Sequence, residues 1–286
     1  MLNRYRPYVQ LAPLVLILLL FVAAPLVFVV IVSFFTTDGF ETIPVLTLDN
    51  YQTLFTSSLT LALYGKMVKY ALITWVATLF IGFFVAYFLV FHVRNRNIAI
   101  GLFLVCTVPF WTSNVIRMIS WMPVLAEQGV VNSALMGLGL IDTPLRILLF
   151  SDFSVIVAYV HLFTIFMIVP IFNAMNRIDR NLFEAAFDAG ASRFRTLVLV
   201  VLPLTKSGIV MGSIFVITLV MGDFYVVKVM SGGGSASVVS AMYDNVSTLL
   251  FPPAAASAVV LLIILTVLIS VLTRFVDVRK ELVQQR

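Results

Sequence analysis

The sequence predicts an all-α membrane protein with six transmembrane helices. Of the 286 residues, 62% are hydrophobic and only 11% are charged, and the mean hydropathy is +1.11. A soluble domain carries about 45–50% apolar and about 25% charged residues, so this chain has too few polar side chains to cover its apolar mass in water. Several apolar stretches also have the length that a helix needs to cross lipid.

Six apolar stretches are the predicted spans. They lie at about residues 11–35, 67–91, 98–119, 153–175, 207–221 and 254–272. The first holds no charged residue and runs well past the roughly 7–15 apolar residues of a signal peptide, so it is interpreted as an uncleaved helix. Pro109 interrupts the third stretch, and the fifth is short, with a poorly defined start at Pro203. An even number of spans places both termini on one side of the membrane.

Basic residues predict the orientation of these spans. Thirteen of the 18 lysines and arginines fall at the termini or in the loops between spans two and three and between spans four and five. They are Arg4, Arg6, Arg94, Arg96, Arg177, Arg180, Arg193, Arg195, Lys206, Arg274, Arg279, Lys280 and Arg286. Cytoplasmic loops are enriched in Lys and Arg, so we expect both termini in the cytoplasm. The net charge of +5 then reflects these loops and not binding to nucleic acid.

The segments predicted to face outward are acidic. They contain eight of the 13 acidic residues, namely Asp38, Glu41, Asp49, Glu127, Asp142, Asp152, Asp223 and Asp244. A negative outer face would attract a cationic solute. The topology alone produces much of the same asymmetry, so both interpretations stay open.

The sequence lacks the patterns of an enzyme or of a nucleotide-binding protein. No phosphate-binding G-x-x-x-x-G-K-[ST] loop is present, and the glycine-rich run at 231–235 lacks the following lysine and predicts a flexible connection. Cys106 is alone, and His92 and His161 lie in different segments. For His161, packing and a pathway role both stay open, because ionisable groups in spans are costly and often functional. We predict no catalytic residue, metal site or cofactor on this chain.

The loop at residues 176–206 has a helical pattern of its own. Asn181, followed three residues later by Glu184, approximates a capping box, which predicts a short helix from the next residue. Gly190 can take the left-handed conformation that ends such a helix, and Ser192 can cap a second one. The predicted loop is helix, glycine turn, helix on the cytoplasmic side.

Two acidic residues mark one face of the first helix in this loop. Glu184 and Asp188 lie four residues apart, and Asp188 is near the negative end of the helix dipole, which is unfavourable unless a basic partner is close. Local physics leaves two alternatives open. The face docks on a basic partner, or it is solvated and Arg180 partly neutralises Glu184.

The same loop resembles a known motif. Glu184-Ala185-Ala186, Gly190, Val200 and Leu202-Pro203 have the spacing EAA-x3-G-x9-I-x-LP, the EAA motif of ABC importer permeases, with valine in place of isoleucine at Val200. The resemblance implies the type I ABC importer permease fold, in which this loop is a cytoplasmic coupling helix seated on a separate ATPase subunit that binds ATP and Mg. The residues that it assigns to ATPase coupling are Glu184, Ala185, Ala186, Asp188, Gly190 and Arg193.

The resemblance also implies the partners of the chain. We expect ABC ATPase subunits, a related second permease subunit in a heteromeric pair, and an extracytoplasmic solute-binding protein. The whole chain, residues 1–286, is then a single multi-pass permease domain surrounded by lipid in the bacterial inner membrane. The expected activity is solute import driven by ATP hydrolysis on the partner subunit.

A second, weaker resemblance concerns which solute is transported. The stretch Val108–Met122, the segment after it and Gly222-Asp223-Phe224 are similar to the spermidine/putrescine permease subfamily. Relatives with nearby sequences carry ferric ion, phosphonates, opines or sugars, so these solutes stay open. An ion-gradient-driven secondary transporter is a further alternative, but it would need paired acids within the spans, which are nearly free of acids here.

Carboxylates and aromatic faces are the groups that would hold a polyamine. The candidate pathway residues are Phe110, Trp111, Arg117, Trp121, Asp223, Tyr225, Tyr243 and Asp244. Aromatic residues at membrane edges also act as interfacial anchors, and that alternative stays open for each of them. The charge of Arg117 opposes a cationic solute unless it pairs with an acid such as Asp223 or Glu127 or contacts a binding protein. It favours a phosphonate-like anion.

Overall fold

The computed structural model describes residues 6–39, 41–179, 181–234 and 236–274 of the chain, which are mostly helical. Some residues used in the predictions lie outside this part. They are Arg4, Arg180, Ser235, Arg279, Lys280 and Arg286.

The described elements follow one another in this order: α1 (apolar part Gln10–Val32), β1 (Thr36–Thr37), β2 (Thr42–Ile43), α2 (Asp49–Thr56), α3 (Ser58–His92), α4 (Arg96–Trp111), α5 (Asn114–Ile119), α6 (Trp121–Leu125), α7 (Val130–Gly137), α8 (Asp152–Met175), α9 (Asn181–Asp188), α10 (Arg193–Leu204), α11 (Lys206–Gly222), α12 (Tyr225–Met230), α13 (Val238–Ser247) and α14 (Phe251–Arg274). Helix α1 begins at Arg6. Helices α1, α3 and α10 each contain a π-helical segment, at Leu19–Ala23, Phe88–His92 and Leu197–Val201 respectively.

Four of the described helices, α1, α3, α8 and α14, are each long and apolar enough to cross a membrane. Two bent helix groups add a fifth and a sixth candidate if each is counted as one span. The first is α4 with the helices from α5 to α7, bent by 95°, and the second is α10 with α11, bent by 66°. The described helices therefore allow four to six spans, and the predicted number of six is the upper limit.

The span predicted at residues 98–119, which Pro109 interrupts in the sequence, is divided between two helices. Helix α4 ends in a 3-10 turn that contains Pro109, and α5 starts anew after Ser113, whose hydroxyl accepts a hydrogen bond from the N–H of Val115 at 3.3 Å. Proline lacks the N–H that a continuing helix needs, and a serine cap favours a new start. The length of the apolar stretch alone does not predict this break.

The chain forms two compact units, the first of which contains residues up to 63 together with 238–265. Its helix α1 exposes most of its large apolar side chains, as expected for a helix that faces lipid. Hydrogen bonds join α2 to the C-terminal end of α1. Asn50 donates from Nδ2 to the carbonyls of Ser33 at 3.0 Å and Phe35 at 2.7 Å, and the hydroxyls of Tyr51 and Ser33 lie 2.6 Å apart. These bonds satisfy the carbonyls that a helix leaves open at its C-terminal end.

The second unit contains residues 64–237 and those from 266 onward, and α8 is its central helix. The side chains of Val155, Tyr159, Met167 and Ile171 on α8 are almost fully buried. Helices α3 and α11 pack beside it, and a hydrogen bond of 2.8 Å from Nε1 of Trp75 on α3 to the hydroxyl of Ser213 joins α3 to α11.

Helices α8 and α11 approach each other through glycines. A Cβ atom on Gly208 would lie 2.5 Å from the carbonyl oxygen of Pro170, and one on Gly212 would lie 2.7 Å from Sδ of Met167. The backbone oxygen of Pro170 leaves no room for a side chain at Gly208, whereas at Gly212 the nearest atom belongs to the flexible side chain of Met167 and the Cα atom of Met167 would lie 3.2 Å away. Small residues allow the two helices to pack this closely. We call the contact of Gly208 and Gly212 with Met167 and Pro170 the glycine seam. It lies where α8 and α11 flank the loop at 176–206.

Candidate functional site

The first helix of the loop, α9, starts differently from the prediction. The described helix, Asn181–Asp188, already includes Asn181, and the N–H of Asn181 donates to Oδ1 of Asp179 at 3.0 Å. The N–H of Leu182 donates to the carbonyl of Asp179 at 3.2 Å. The prediction that Asn181 caps the helix with Glu184 is therefore wrong, because Asp179 already accepts from the N-terminal end.

The turn after α9 has the predicted glycine geometry. Gly190 has φ +79°, which a residue with a Cβ adopts at a cost. The N–H of Gly190 donates to the carbonyl of Phe187 and the N–H of Ala191 donates to that of Ala186, both at 2.9 Å, which is the Schellman pattern of helix termination. Ser192 then caps α10 by accepting from the N–H of Arg195 at 3.3 Å. The predicted helix, glycine turn and second helix are all present.

An aromatic contact joins α9 to α3. The ring of Phe183 lies 4.8 Å, between centroids, from the ring of Phe91 at the end of α3. Leu182 and Phe187 on the same helix are 45% and 49% exposed, and Phe194 at the start of α10 is 74% exposed. Exposed apolar side chains next to charged ones are typical of a surface that binds another protein.

The charged residues of this surface are exposed as well. Glu184, Asp188 and Arg193 are all accessible, and none of them takes part in an ion pair among the described residues. Ala185 is exposed and Ala186 is half-buried, so their small side chains form part of the outer surface of α9. Arg180, the alternative partner of Glu184, lies outside the described residues. We call the exposed residues of α9 together with Arg193 and Phe194 the coupling surface.

A cleft of about 790 Å³ lies behind the coupling surface, between the ends of α8 and α11. It reaches Leu182 of α9, and its polar lining comes from Asn173, Arg177, Asp179 and Ser207. The sequence patterns did not predict this cleft, because its walls come from two spans and the loop between them.

A cavity of about 440 Å³ brings together three of the candidate pathway residues, Phe110, Arg117 and Trp121, beside His161. Nε1 of Trp121 donates to Nδ1 of His161 at 2.9 Å. Arg117 donates from Nη2 to Oδ1 of Asn114. Arg117 forms no ion pair with Asp223, Glu127 or any other acid among the described residues, so its charge is not neutralised in this way.

Those two acids have other partners. Glu127 pairs with Arg146 at 3.3 Å, and both side chains are exposed. Oδ1 of Asp223 accepts from the hydroxyl of Tyr159 at 3.2 Å and from the N–H of Val226 at 2.8 Å. Burial raises the pKa of the Asp223 carboxyl above its usual value, and these two donors act in the opposite direction.

The remaining candidates lie on several elements. Trp111 is 85% exposed and does not line the cavity, and Tyr225 is 39% exposed on α12. Tyr243 and Asp244 lie on α13, which belongs to the first unit.

The structure adds an ionic cluster that the sequence analysis missed. Asp152, at the start of α8, lies 3.2 Å from both Lys66 and Lys69 of α3 and accepts from the hydroxyl of Tyr70 at 2.6 Å. The two lysines and Tyr70 lie within one turn of α3 and so share one side of that helix, a signal that spacing could have given. No group of three potential metal ligands occurs among the described residues.

The sequence of residues 98–281 matches the family model described as "Binding-protein-dependent transport system inner membrane component". This range covers more than half of the chain. The chain belongs to that family. It is an ABC permease of the inner membrane, with the type I permease fold that the EAA motif implies.

Relatives of this permease support the finer resemblance. It is 35% identical to the spermidine/putrescine transport system permease protein PotB of Escherichia coli strain K12, over 80% of this chain and 83% of that protein. It is 36% identical to PotB of Haemophilus influenzae, over 75% of this chain and 74% of that protein. The resemblance to the spermidine/putrescine permease subfamily is confirmed.

A solved structure shows the same fold at low sequence identity. The permease superposes with a TM-score of 0.75 on a chain of a bacterial ABC transporter that imports the acidic polysaccharide alginate, and 95% of each chain is covered. The two sequences are 15% identical, so this likeness concerns the fold alone.

Proposed function

We propose that this permease is the transmembrane subunit of an ATP-driven importer of polyamines such as spermidine and putrescine. The observation that carries the proposal is the coupling surface, an exposed face of apolar and acidic residues on the EAA motif of a family member. The relatives at 35% and 36% identity, both named as spermidine/putrescine permeases, support the choice of solute.

The coupling surface receives the force that drives transport. Glu184 meets a basic group on an ABC ATPase subunit, and Ala185 and Ala186 allow close seating. Asp188 and Arg193 lie at the edge of the contact, and Gly190 sets the angle between α9 and α10. ATP and Mg bind to the ATPase, whose closure moves the loops of two permease subunits and with them the spans. This chain supplies the path and carries out no catalytic step of its own.

The orientation follows from the charges of the chain. Both termini and the coupling surface face the cytoplasm, and the acidic segments face outward. A solute-binding protein delivers the polyamine to that outer side, and a related second permease subunit completes the path.

Asp223 is the best candidate for contact with a polyamine ammonium group. Its Oδ1 is held by Tyr159 and Val226, and its Oδ2 makes no hydrogen bond among the described residues. A carboxylate with one fixed and one open oxygen can accept a charge-assisted hydrogen bond from an ammonium group. The adjacent rings of Phe224 and Tyr225, with centroids 6.2 Å apart, offer faces for cation–π contact.

The test is uptake of radiolabelled spermidine by the complete transporter in proteoliposomes. Asp223→Asn keeps the size of the side chain and removes its charge, so we expect KM to rise about 10- to 100-fold, as for the loss of one charged contact of about 1.5–3 kcal/mol. Asp142→Asn, at an exposed carboxyl, is the matched control and should transport normally. Equal KM values for the two variants would contradict the role of Asp223.

An anionic solute is the second candidate, favoured by the charge of Arg117 beside the cavity. A relative named sulfoquinovosyl glycerol transport system permease protein SmoG, from Agrobacterium fabrum, is 27% identical over 87% of this chain. Competition decides between the two candidates. Excess unlabelled putrescine should suppress spermidine uptake, whereas suppression by a phosphonate or a sulfonated sugar would favour the anion.

A further inference from the structure

The cavity of about 440 Å³ beside α8 is mostly apolar and contains a polar cluster formed by Arg117, Trp121 and His161. Ile156, Val160, Thr164 and Ile168 line it from one face of α8, which spans about 18 Å at 1.5 Å per residue. Apart from Arg117, Trp121, His161 and Thr164, its lining is made of apolar side chains and Cys106. The cavity therefore has the form of a groove along a membrane-spanning helix.

Arg117 places a positive charge at this groove. Its side chain is only 6% exposed, its Nε is buried without a hydrogen-bond partner, and it takes part in no ion pair of the described residues. Asn114 accepts one of its N–H groups. An amide oxygen does not neutralise a guanidinium, so the charge calls for an anion from outside the described chain.

His161 adds a second donor and no acceptor. The indole N–H of Trp121 can only donate, so Nδ1 of His161 is the unprotonated nitrogen and Nε2 carries the hydrogen. Among the described residues, Nε2 makes no hydrogen bond. Arg117 and His161 therefore present donors to whatever occupies the groove.

We propose that this groove binds an anionic membrane phospholipid, with the phosphate at Arg117 and His161 and an acyl chain along α8. The phosphate supplies the negative charge and the acceptor oxygens that the donors lack. The acyl chain matches the apolar walls, and the surrounding bilayer supplies such lipids. Basic pockets between membrane helices are suited to lipid headgroups.

Other occupants fit the groove less well. A polyamine carries the same sign of charge as Arg117 and is repelled; this step alone rests on the proposed function. A single carboxylate from a neighbouring subunit would neutralise the charge but would leave most of a groove of this volume empty. A phospholipid does both: its phosphate neutralises Arg117 and its acyl chain fills the apolar part of the groove.

The experiment counts lipid on the purified protein by native mass spectrometry. The full chain and the complete transporter are stripped with detergent and titrated with phosphatidylglycerol, with phosphatidylcholine and oleate as separate probes. We expect one phosphatidylglycerol held per chain in both preparations. Arg117→Met should weaken its retention at least about tenfold, since it removes the charged contact. Arg117→Lys should restore part of it.

Two further variants separate lipid binding from loss of folding. Arg146→Met makes the same substitution at an arginine whose side chain is 83% exposed and outside the groove, and it should retain lipid as the wild type does. Val157→Trp fills the apolar part while leaving Arg117 in place, and it should lose the lipid. Gel filtration of each variant checks that it is folded.

The opposite results would overturn the proposal. Equal retention of phosphatidylglycerol by Arg117→Met and Arg146→Met would show that the charge of Arg117 does not contribute to lipid binding. Retention of oleate in preference to phosphatidylglycerol would assign the groove to a free fatty acid. Lipid held by the isolated chain but absent from the complete transporter would assign the groove to a carboxylate of the second permease subunit. Because none of these readouts needs transport, they are independent of the identity of the solute.

Discussion

The coupling surface and the region around Asp223 and Arg117 are built in different ways. The coupling surface comes from one continuous stretch, and its turn and helix ends are fixed by hydrogen bonds between residues at most five positions apart. Asp223 depends on Tyr159, 64 positions earlier, and Trp121 bonds His161, 40 positions later. A change in the coupling surface should therefore act on contact with a partner, whereas a change near Asp223 should act through several helices.

The largest expected effect is that of Glu184→Arg. The variant reverses the charge of an exposed residue without removing a described contact, so the chain should reach the membrane at normal levels. A basic group on the ATPase would then be repelled, and spermidine uptake should fall by more than about tenfold. Uptake in membrane vesicles and the amount of permease on an immunoblot are measured together.

The control for this variant is Glu41→Arg, which makes the same change at an exposed turn in the first unit. It should transport normally. Normal uptake by Glu184→Arg at normal expression would show that the coupling surface does not depend on this charge.

An intermediate effect is expected from Tyr159→Phe. The phenylalanine keeps the ring but loses the hydroxyl that donates to Asp223, and that bond lowers the pKa of the Asp223 carboxyl. Without it the pKa rises further, so the carboxylate is protonated at higher pH. The acid side of the pH profile for spermidine uptake should therefore shift to higher pH, while uptake at alkaline pH stays close to wild type.

A uniform loss of uptake at every pH would instead indicate that Tyr159 serves only packing. The asparagine in Asp223→Asn does not titrate. The pH profile of this variant should therefore lack the loss of uptake at low pH that protonation of Asp223 causes. The two profiles measured side by side test whether the long-range contact acts on this carboxyl.

The smallest effect is expected from Gly190→Ala. At φ +79° a methyl group costs about 1–2 kcal/mol, and the open space around this residue adds no clash. We expect a several-fold loss of uptake and little change in thermal stability. Gly190→Asn should be milder, because asparagine tolerates the left-handed conformation better. Identical uptake by all three proteins would show that the turn is not needed in this form.

The sequence was a good guide where neighbouring residues decide the structure. The turn at Gly190, the cap at Ser192 and the long spans follow from local rules of helix ends and hydrophobic length. The capping assignment failed at Asn181, because two short polar residues, Asp179 and Asn181, compete for one helix start. The interruption at Pro109 was visible in the sequence, but a count of apolar residues does not give the angle of the bend.

The contacts between distant residues could not be predicted in this way. Nothing near Asp223 in the sequence indicates Tyr159, and nothing near Asp152 indicates that Lys66 and Lys69 lie against it. The partner of Glu127 could not be predicted for the same reason. Glu127 pairs with Arg146, which lies in a segment whose sequence has no recognisable pattern. Such pairs depend on which helices pack together.

The glycine seam has a mechanical consequence for the loop that it adjoins. The loop leaves from α8 and returns through α10 to α11, and these two helices touch almost backbone to backbone at Gly208 and Gly212. Separating these two helices would lose the close packing at both glycines. We therefore expect α8 and α11 to move together, so that a small displacement of the loop tilts the pair as one rigid unit.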